Sequence, residues 1–393
     1  MDVFDKCMNF TRAEEAQAAD MYPYFTPIQE ARGSRIKVKG RNMIMVGSNN
    51  YLGLIDHPKV MQAAKDAIDC YGVATCGSRF LTGTIDLHEE LEIRLAKFMK
   101  KEAALTFSTG YQTNLGIIST IAGKDDAIIT DRMDHASIID ACRLSFATVH
   151  KFKHNDMSDL ERILSGLGKD TGKVIVVDGV FSMEGDLSDL ASIVTLAKKF
   201  GSRIMVDDAH GIGVMGRNGR GTAEHFGVEA DVDLVMGTFS KSFASLGGFL
   251  AGEESVIHYL KHNCRTLIFS ASMPPPAVAA ALAALDIIEN EPERRARLTD
   301  IYTRMKKEFD ALGFDTGDSA TAIIPIKIGE NEATFRFWRA LLDNGVYANT
   351  IITPAVSPGE SLIRTSYMAT HTDEELDQVL EVFEKVGKEF GLI

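Results

Sequence analysis

Several features that define other classes of protein are missing from this 393-residue sequence. No apolar run approaches the roughly eighteen residues that a membrane-spanning helix needs, which argues against an integral membrane segment. Lys and Arg number 42 against 55 Asp and Glu, a net charge of −13, so no overall positive field favours nucleic acid or an anionic membrane. An anionic substrate would need a local basic patch, whose position the sequence does not reveal.

Cysteine is scarce as well. The five cysteines are odd in number and widely spaced, with neither a C-x-x-C pair nor a zinc-like spacing to histidine: Cys7, Cys70, Cys76, Cys142 and Cys264. We therefore expect reduced thiols, no metal site and a cytoplasmic protein. The first residues, Met-Asp-Val-Phe-Asp-Lys-Cys, lack the apolar segment of a signal peptide, which agrees with that expectation.

The length of the chain predicts two domains rather than a single core. From about residue 58, short apolar strands alternate with helices, a pattern typical of an α/β fold with a mainly parallel sheet covered by helices on both faces. We predict an N-terminal arm and hairpin over 1–46, a large domain over 47–290 and a smaller C-terminal α/β domain over 291–393.

Two charged residues follow apolar strands near the middle of the chain. Lys241 ends the string Gly237-Thr238-Phe239-Ser240-Lys241, and Asp207 follows Arg203-Ile204-Met205-Val206. Such a lysine can form a Schiff base with an aldehyde cofactor, and such an aspartate can pair with a protonated pyridine nitrogen. In a parallel sheet both would lie at the carboxyl edge, where ligands bind. The pair predicts an enzyme that uses pyridoxal 5'-phosphate (PLP).

A rival interpretation comes from the string Gly211-Ile212-Gly213-Val214-Met215-Gly216, which matches the G-x-G-x-x-G of NAD(P)-binding oxidoreductases. The residues that follow, 217–222, form another glycine-rich stretch and not the helix that would receive a pyrophosphate. The PLP interpretation is therefore preferred.

Three motifs resemble the α-oxoamine synthases: Asp207-Asp208-Ala209-His210-Gly211, Thr238-Phe239-Ser240-Lys241 and Gly47-Ser48-Asn49-Asn50-Tyr51-Leu52-Gly53-Leu54. These are fold-type I PLP-dependent transferases that condense an amino acid with an acyl-CoA and release carbon dioxide. The resemblance runs from about residue 22 to the C-terminus. A catalytically inactive partner subunit, known in this family where the lysine is missing, is disfavoured because Lys241, His135 and Asp207 are all present.

The resemblance implies a set of cofactor contacts. Lys241 would bind PLP covalently with Thr238 beside it, and Asp207 would hold the pyridine nitrogen. The backbone at Gly110 and Tyr111, where a strand gives way to a helix, would bind the phosphate. His135 would stack on the ring, and His210 and Ser182 would hydrogen-bond its phenolic oxygen. His135, Asp207, His210 and Lys241 are accordingly the predicted catalytic residues.

Substrate and subunit contacts are also implied. Arg364, in an apolar strand of the small domain, would bind the carboxylate of the amino acid, because an arginine with such neighbours needs a partner and a bidentate carboxylate is a good one. A structural ion pair is the alternative role for this residue. Asn49 would lie near that carboxylate and Ser78 beside the substrate side chain. Ser272, in Phe269-Ser270-Ala271-Ser272-Met273, would reach the phosphate in a neighbouring subunit, which predicts a homodimer with a shared active site.

Within the family, four segments are most similar to the soluble bacterial serine palmitoyltransferases, namely 22–25, 76–84, 86–91 and 368–372. That similarity implies an acyltransferase that condenses L-serine with a long-chain acyl-CoA such as palmitoyl-CoA, giving 3-ketodihydrosphingosine, CoA and CO2 in the first step of sphingolipid synthesis. Two alternatives remain open. They are a 2-amino-3-ketobutyrate CoA ligase (glycine C-acetyltransferase), which uses glycine, and an 8-amino-7-oxononanoate synthase, which uses alanine.

Overall fold

Short strands separated by helices make up most of the chain, in the alternation that the sequence predicts. The computed structural model describes residues 2–393. The strands are β1 Ile28–Arg32, β2 Arg35–Val38, β3 Arg41–Met45, β4 Ala103–Phe107, β5 Asp126–Asp131, β6 Thr148–Phe152, β7 Gly172–Asp178, β8 Arg203–Asp207, β9 Leu234–Thr238, β10 Gly248–Gly252, β11 Ile323–Gly329, β12 Val346–Tyr347, β13 Asn349–Ile351 and β14 Ser361–Ser366.

The helices vary from single turns to six turns. They are α1 Asp5–Met8, α2 Arg12–Ala18, α3 Pro58–Tyr71, α4 Asp86–Phe98, α5 Gly110–Ile121, α6 Ala136–Leu144, α7 Met157–Gly166, α8 Leu190–Phe200, α9 Thr222–His225, α10 Glu254–Asn263, α11 Arg265–Ile268, α12 Pro275–Asn290, α13 Pro292–Leu312, α14 Asn331–Asp343 and α15 Asp373–Glu389. Across residues 2–393, none of them is both long and apolar enough to span a membrane.

A seven-stranded sheet dominates the unit formed by Asn49–Asp300. Its strand order is β4-β10-β9-β8-β7-β5-β6. The pairs β6–β5, β5–β7, β7–β8 and β8–β9 are parallel, whereas β10 is antiparallel to both β4 and β9. Six of the strands therefore point the same way, and the predicted mainly parallel α/β fold is confirmed. The carboxyl ends of β5, β7, β8 and β9 meet at one edge.

The core of this unit follows from the composition of its strands and helices. β7, β8 and β9 are near-continuous apolar runs buried on both faces, as expected for central parallel strands. Ile117 and Ile118 of α5 and Ile138 of α6 are fully buried against Met205, Leu250 and their neighbours. Helix α5 is thereby held rigidly against the sheet, with its N-terminus at the carboxyl edge.

The other unit comprises Met1–Ser48 and Ile301–Ile393. It holds two small sheets, one ordered β1-β2-β3-β12 and the other β11-β14-β13. The predicted hairpin is present as β2 and β3, and its turn residues Lys39 and Gly40 have φ values of 48° and 75°, as a two-residue hairpin turn requires. The sequence treated residues 1–46 as a separate segment, whereas in the structure they group with the C-terminal residues, with β12 pairing in parallel with β3.

Candidate active site

A cavity of about 290 Å³ opens at the carboxyl edge of the large sheet. Eight of the residues predicted from sequence line it: Gly110, Tyr111, His135, Ser182, Asp207, His210, Thr238 and Lys241. Their neighbours include three residues that the sequence did not single out, Asn114, Ser137 and Asp178. Residues up to 131 positions apart in the chain thus share one site, because each follows a strand or opens a helix at the same edge of the sheet.

Asp207 is the last residue of β8 and is 4% exposed. Its Oδ2 accepts a hydrogen bond from Asn114 Nδ2 at 2.6 Å, and its Oδ1 accepts one from the backbone N–H of Ala209 at 3.0 Å. Asn114 Nδ2 also donates to Ser137 Oγ at 2.8 Å, which fixes the amide. The carboxylate is consequently held in one orientation in a buried place, ready to pair with a cation in the cavity.

Asp178 is a second buried carboxyl group at this edge, in register with Asp207 on the neighbouring strand. Its Oδ2 accepts a hydrogen bond from the backbone N–H of His135 at 2.8 Å. Burial raises the pKa of Asp178 well above its usual range, and the nearby charges of Asp207 and Asp134 raise it further. The sequence did carry a signal for this residue, since Asp178 ends an apolar strand just as Asp207 does.

His135 caps the N-terminus of α6. Its Nδ1 accepts a hydrogen bond from the backbone N–H of Ser137 at 3.2 Å and lies 2.7 Å from Ser137 Oγ. Desolvation lowers the pKa of His135 although part of the ring reaches solvent; the charge of Lys241 acts in the same direction, and that of Asp207 opposes it. The ring is therefore a neutral imidazole with its proton on Nε2 and its plane fixed by α6.

The N-terminus of α5 supplies unpaired backbone N–H groups to the cavity. Thr109 caps the helix by accepting from the Gln112 N–H at 3.1 Å, so the first-turn N–H groups of Gly110 and Tyr111 have no intrahelical acceptor. A Cβ atom on residue 110 would lie 2.8 Å from Thr238 Oγ1, so glycine is required for the helix to approach this closely. The geometry is that of an anion site at a helix N-terminus.

Lys241 follows β9 by three residues and lines the cavity. The intervening turn is held by Thr238, whose Oγ1 donates to the Gly247 carbonyl at 2.9 Å and lies 2.8 Å from Ser240 Oγ. Three residues after Lys241, Ala244 adopts a positive φ of 49°, which is unusual for a residue with a side chain. These contacts fix the backbone from which the lysine side chain extends.

His210 lies in the turn after β8, and its Nδ1 is 2.7 Å from the hydroxyl of Tyr51. That hydroxyl also lies 3.3 Å from Asn49 Oδ1, to which it donates. The predicted residues Asn49 and His210 are therefore connected through Tyr51, a residue within a quoted motif whose role the sequence alone did not suggest. The partnership becomes visible only once the two distant segments are brought together.

Four predicted residues are not among those that line the cavity. Ser272 Oγ lies 2.7 Å from Thr75 Oγ1, and Ser78 pairs with Ala271 in an isolated bridge. Asn49 makes the contact with Tyr51 described above. Arg364 is in the other unit, 4% exposed in β14, where its Nη1 donates to Ser366 Oγ at 3.4 Å. The functional roles given to all four remain predictions.

Asp208, next to Asp207, is fully buried but does not line the cavity. Its Oδ2 accepts from the Thr222 N–H at 2.6 Å. A Cβ atom on Gly179, Gly211 or Gly221 would lie within 2.7, 1.9 and 1.9 Å of its carboxyl oxygens. Burial raises the pKa of Asp208 to about 7. The glycine-rich segment that suggested a dinucleotide motif thus packs around a carboxyl group, and its Ile212–Arg220 bridge closes a turn where that motif would need a long helix.

The residues of the cavity fit PLP. The N-terminus of α5 with Thr238 suits a phosphate, and the close approach at Gly110 leaves backbone N–H groups at the surface of the cavity. Asp207 suits a protonated ring nitrogen, His135 offers a fixed flat ring, and Lys241 is the only lysine among the residues that line this cavity.

Comparisons with known proteins agree with this fit. Residues 41–383 match the family model described as aminotransferase class I and II. The chain belongs to this PLP-dependent family.

More specifically, the chain is 48% identical to a serine palmitoyltransferase of Sphingobacterium spiritivorum over 385 residues, 98% of this chain and 96% of the relative. The solved structure of a Sphingomonas wittichii serine palmitoyltransferase superposes with a TM-score of 0.97 at 39% identity, covering 100% of both chains. A further structure, described as SPT with a PLP internal aldimine, gives a TM-score of 0.96 at 36% identity, again over 100% of both chains.

Proposed function

We propose that this chain catalyses the PLP-dependent condensation of L-serine with a long-chain acyl-CoA, with loss of CO2 and CoA, to give 3-ketodihydrosphingosine. The observation that carries the proposal is the single cavity in which Lys241, Asp207 and His135 meet the N-terminus of α5. Full-length similarity to serine palmitoyltransferases supports serine as the amino acid. The product places the enzyme at the first step of sphingolipid synthesis.

When bound, PLP supplies a protonated pyridine ring that withdraws electrons from the Cα atom of the amino acid. The carboxylate of Asp207 would hold the proton on the ring nitrogen, because its own position is fixed by Asn114 and Ala209. The N–H groups of Gly110 and Tyr111 would bind the phosphate. His210 and Ser182 would donate hydrogen bonds to the phenolic oxygen.

Lys241 would move the proton at the Cα atom of serine. Its amine extends from a fixed turn into the same cavity as the neutral ring of His135. A cationic imidazole beside Lys241 would favour the neutral amine more strongly than the uncharged ring of His135 does. The uncharged ring, however, can pack against the protonated pyridine ring without charge repulsion. The division of labour is therefore a base, Lys241, and a ring-orienting residue, His135.

The carboxylate of serine would bind Arg364, whose guanidinium is buried in β14 and suited to a bidentate contact. Asn49 and Ser78 would complete the amino-acid site. Serine must be oriented so that the Cα proton leaves first and the carboxylate is lost only from the β-keto acid that forms next. Orientation is therefore a larger part of the role of Arg364 than affinity.

A second copy of the chain would complete the site. Phe80, Leu81 and Phe269 are large apolar residues with 50%, 76% and 75% of their surface exposed, and they flank the Ser78–Ala271 bridge beside Ser272. Apolar residues clustered this way favour an interface. The proposal is a homodimer in which Ser272 reaches the partner's cofactor phosphate, and sedimentation analysis of the PLP-loaded protein should give a dimer.

The phosphates of acyl-CoA need cations that are not already paired. Arg132, Lys151 and Lys153 have exposed side chains and make no ion pair with any residue in 2–393. Lys151 is in β6 and Lys153 directly follows the strand, and the Arg132 N–H donates to the Phe152 carbonyl between them at 3.1 Å. Arg132 belongs to the turn that carries His135. We assign the phosphate contacts to these three cations. The proposed enzyme is cytoplasmic, in agreement with its five free cysteines.

The test is a spectroscopic titration of the PLP-loaded protein with L-serine, glycine, L-alanine and L-threonine, followed by rates with acyl-CoA of increasing length. Serine should change the cofactor spectrum at the lowest concentration, and palmitoyl-CoA should exceed acetyl-CoA because each buried CH₂ contributes about 0.8 kcal/mol. Better turnover of glycine with acetyl-CoA would indicate the ketobutyrate ligase instead. Better turnover of alanine with a pimeloyl thioester would indicate the oxononanoate synthase.

A further inference from the structure

His154, which the proposed chemistry does not use and which does not line the cavity, lies between two carboxylates. Its Nδ1 is 3.0 Å from Asp131 Oδ1, and its Nε2 is 2.9 Å from Asp186 Oδ2. The edge of the ring packs on Phe181, with 4.4 Å between ring centroids and an angle of 88° between planes. Ionised carboxylates only accept hydrogen bonds, so both ring nitrogens must carry a proton and the side chain is an imidazolium.

Each carboxylate belongs to a turn that delivers a residue to the cavity. Asp131 ends β5 and starts the turn to His135, where its Oδ1 also accepts from the Met133 N–H at 2.8 Å. Asp186 ends the turn that contains Ser182, which is closed by the Phe181 N–H donating to the Asp186 carbonyl at 3.0 Å. His135 and Ser182 both line the cavity.

Asn155 reinforces the same connection. Its backbone N–H donates to Asp131 Oδ2 at 2.9 Å, and its Nδ2 donates to Asp186 Oδ2 at 3.1 Å. Asn155 itself adopts a positive φ of 49°, a conformation that asparagine tolerates better than most residues. The two adjacent residues His154 and Asn155 therefore each contact both turns.

We propose that His154 is a positioning residue whose positive charge holds the turn of His135 against the turn of Ser182, in an Asp131–His154–Asp186 bridge. Asp131 is 1% exposed at its side chain and Asp186 14%, so without the cation two poorly solvated carboxylates would face each other. The turn of Ser182 would then move away. This role rests on the proposed function only for the statement that Ser182 and His135 contact PLP.

The charge state of the bridge depends on the groups that face it. Desolvation lowers the pKa of His154, but hydrogen bonds and charges from Asp131 and Asp186 outweigh it and raise the pKa to about 10. Glu184, in the same turn as Ser182, is the third acidic group that senses this charge. Since the pKa is raised, the contribution of the bridge is complete below about pH 6.5 and is lost as the pH rises through about 10.

The experiment compares His154→Gln with the unaltered protein by hydrogen exchange of residues 181–186 and by fluorescence titration of the PLP-free protein with PLP. Exchange should accelerate, and the Kd for PLP rise, on the order of tenfold or more, the usual effect of removing a charge-assisted hydrogen bond. Neither measurement needs a substrate, so a failure of the serine assay leaves the outcome unaffected.

The matched control is His225→Gln. His225 also packs edge-on against a phenylalanine, Phe226, at 5.0 Å and 88°, but it is exposed and makes no ion pair within residues 2–393. Its substitution should change neither measurement. His154→Arg keeps the positive charge, so hydrogen exchange of residues 181–186 should be slower in this variant than in His154→Gln. If His154→Gln does not fold, His154→Arg is compared with the unaltered protein instead.

Two results would overturn the proposal. One is exchange and PLP affinity in His154→Gln equal to those of His225→Gln. The other is equal damage in the arginine and glutamine variants, because a bridge that depends on charge must distinguish them. As a further check, the ratio of PLP affinities between the unaltered protein and His154→Gln should be largest at about pH 6.5 and shrink as the pH rises through about 10; a ratio that stays constant with pH counts against the proposal.

Discussion

Replacing Asp207 by asparagine removes one negative charge and little volume from the centre of the site. The carboxylate is 4% exposed and accepts hydrogen bonds from Asn114 and from the Ala209 N–H. An asparagine amide can keep the contact with Ala209 through its oxygen, but its NH₂ group would then face the Asn114 NH₂ group at 2.6 Å. The variant should fold and bind PLP more weakly, with the ring nitrogen no longer held in its protonated state.

The magnitude follows from the burial of the pair. Removing one member of a buried ion pair costs about 3–5 kcal/mol. If the full amount appears in the barrier, at about 1.36 kcal/mol per tenfold, kcat falls by roughly 10²- to 10⁴-fold. The assay is CoA release from palmitoyl-CoA with saturating serine, on protein saturated with PLP, so that weaker cofactor binding does not contribute.

Asp208→Asn is the control, because Asp208 is equally buried but lies outside the cavity. Its pKa of about 7, raised by burial, means that much of it is already uncharged at neutral pH, so the amide should change kcat by less than about tenfold. If Asp207→Asn keeps near-normal activity while Asp208→Asn loses it, the assignment of the ring-nitrogen partner is wrong and passes to Asp208.

Three further predictions concern the other ends of the site. Borohydride reduction of the yellow PLP-loaded protein, followed by peptide mapping, should mark Lys241 alone; a label on another lysine would refute the covalent link. Arg364→Ala should raise the KM for serine and also lower kcat, because the arginine orients as well as binds; a change in KM alone would reduce its role to affinity. Lys151→Glu removes one attraction to the phosphates of acyl-CoA and adds one repulsion, each worth up to about 1 kcal/mol at an exposed site. The KM for palmitoyl-CoA should therefore rise about fivefold or more. A phosphate-free palmitoyl thioester is the control substrate. The control variant is Lys65→Glu, at an exposed lysine that forms no ion pair within residues 2–393. If Lys151→Glu changes the KM of both thioesters equally, the phosphates of acyl-CoA do not bind at Lys151.

The features best predicted from the sequence are those whose signal lies in consecutive residues. Lys241 and Asp207 stand directly after apolar runs, and those runs became central parallel strands because β-branched and aliphatic side chains suit a sheet buried on both faces. The same logic locates the α5 N-terminus at Gly110. The signal is weak for β6, Thr148-Val149-His150-Lys151-Phe152, because it is an edge strand with one buried residue, Phe152.

Residues whose role depends on a partner elsewhere in the chain were not predictable. Asn114 is an unremarkable amide in a helix until it meets Asp207, 93 positions later, and Tyr51 meets His210 after 159 positions. The grouping of residues 1–46 with the C-terminal part has the same origin, since β12 pairs with β3 across some 300 residues. Pairings at this separation are fixed by the tertiary fold and leave no periodic trace in the sequence.

The buried carboxyl group of Asp208 also constrains how the sequence can vary. Gly179 and Gly211 have ordinary φ values, so what forbids a side chain at either is the neighbouring atoms. At Gly211 these all belong to Asp208, whose Oδ1 would lie 1.9 Å from a Cβ atom, whereas at Gly179 Thr222 Oγ1 at 2.4 Å and Asp208 Oδ1 at 2.7 Å would both be too close. Gly211 should therefore show epistasis with position 208: alanine at 211 should be rejected beside aspartate and become acceptable beside a smaller residue. Gly179 should stay restricted after the same change, because Thr222 still blocks it. Gly221 would not be released in this way, because its φ of +95° demands glycine whatever stands at 208. One acidic side chain thus sets the evolutionary freedom of position 211, shares that role with Thr222 at position 179, and leaves position 221 to the backbone.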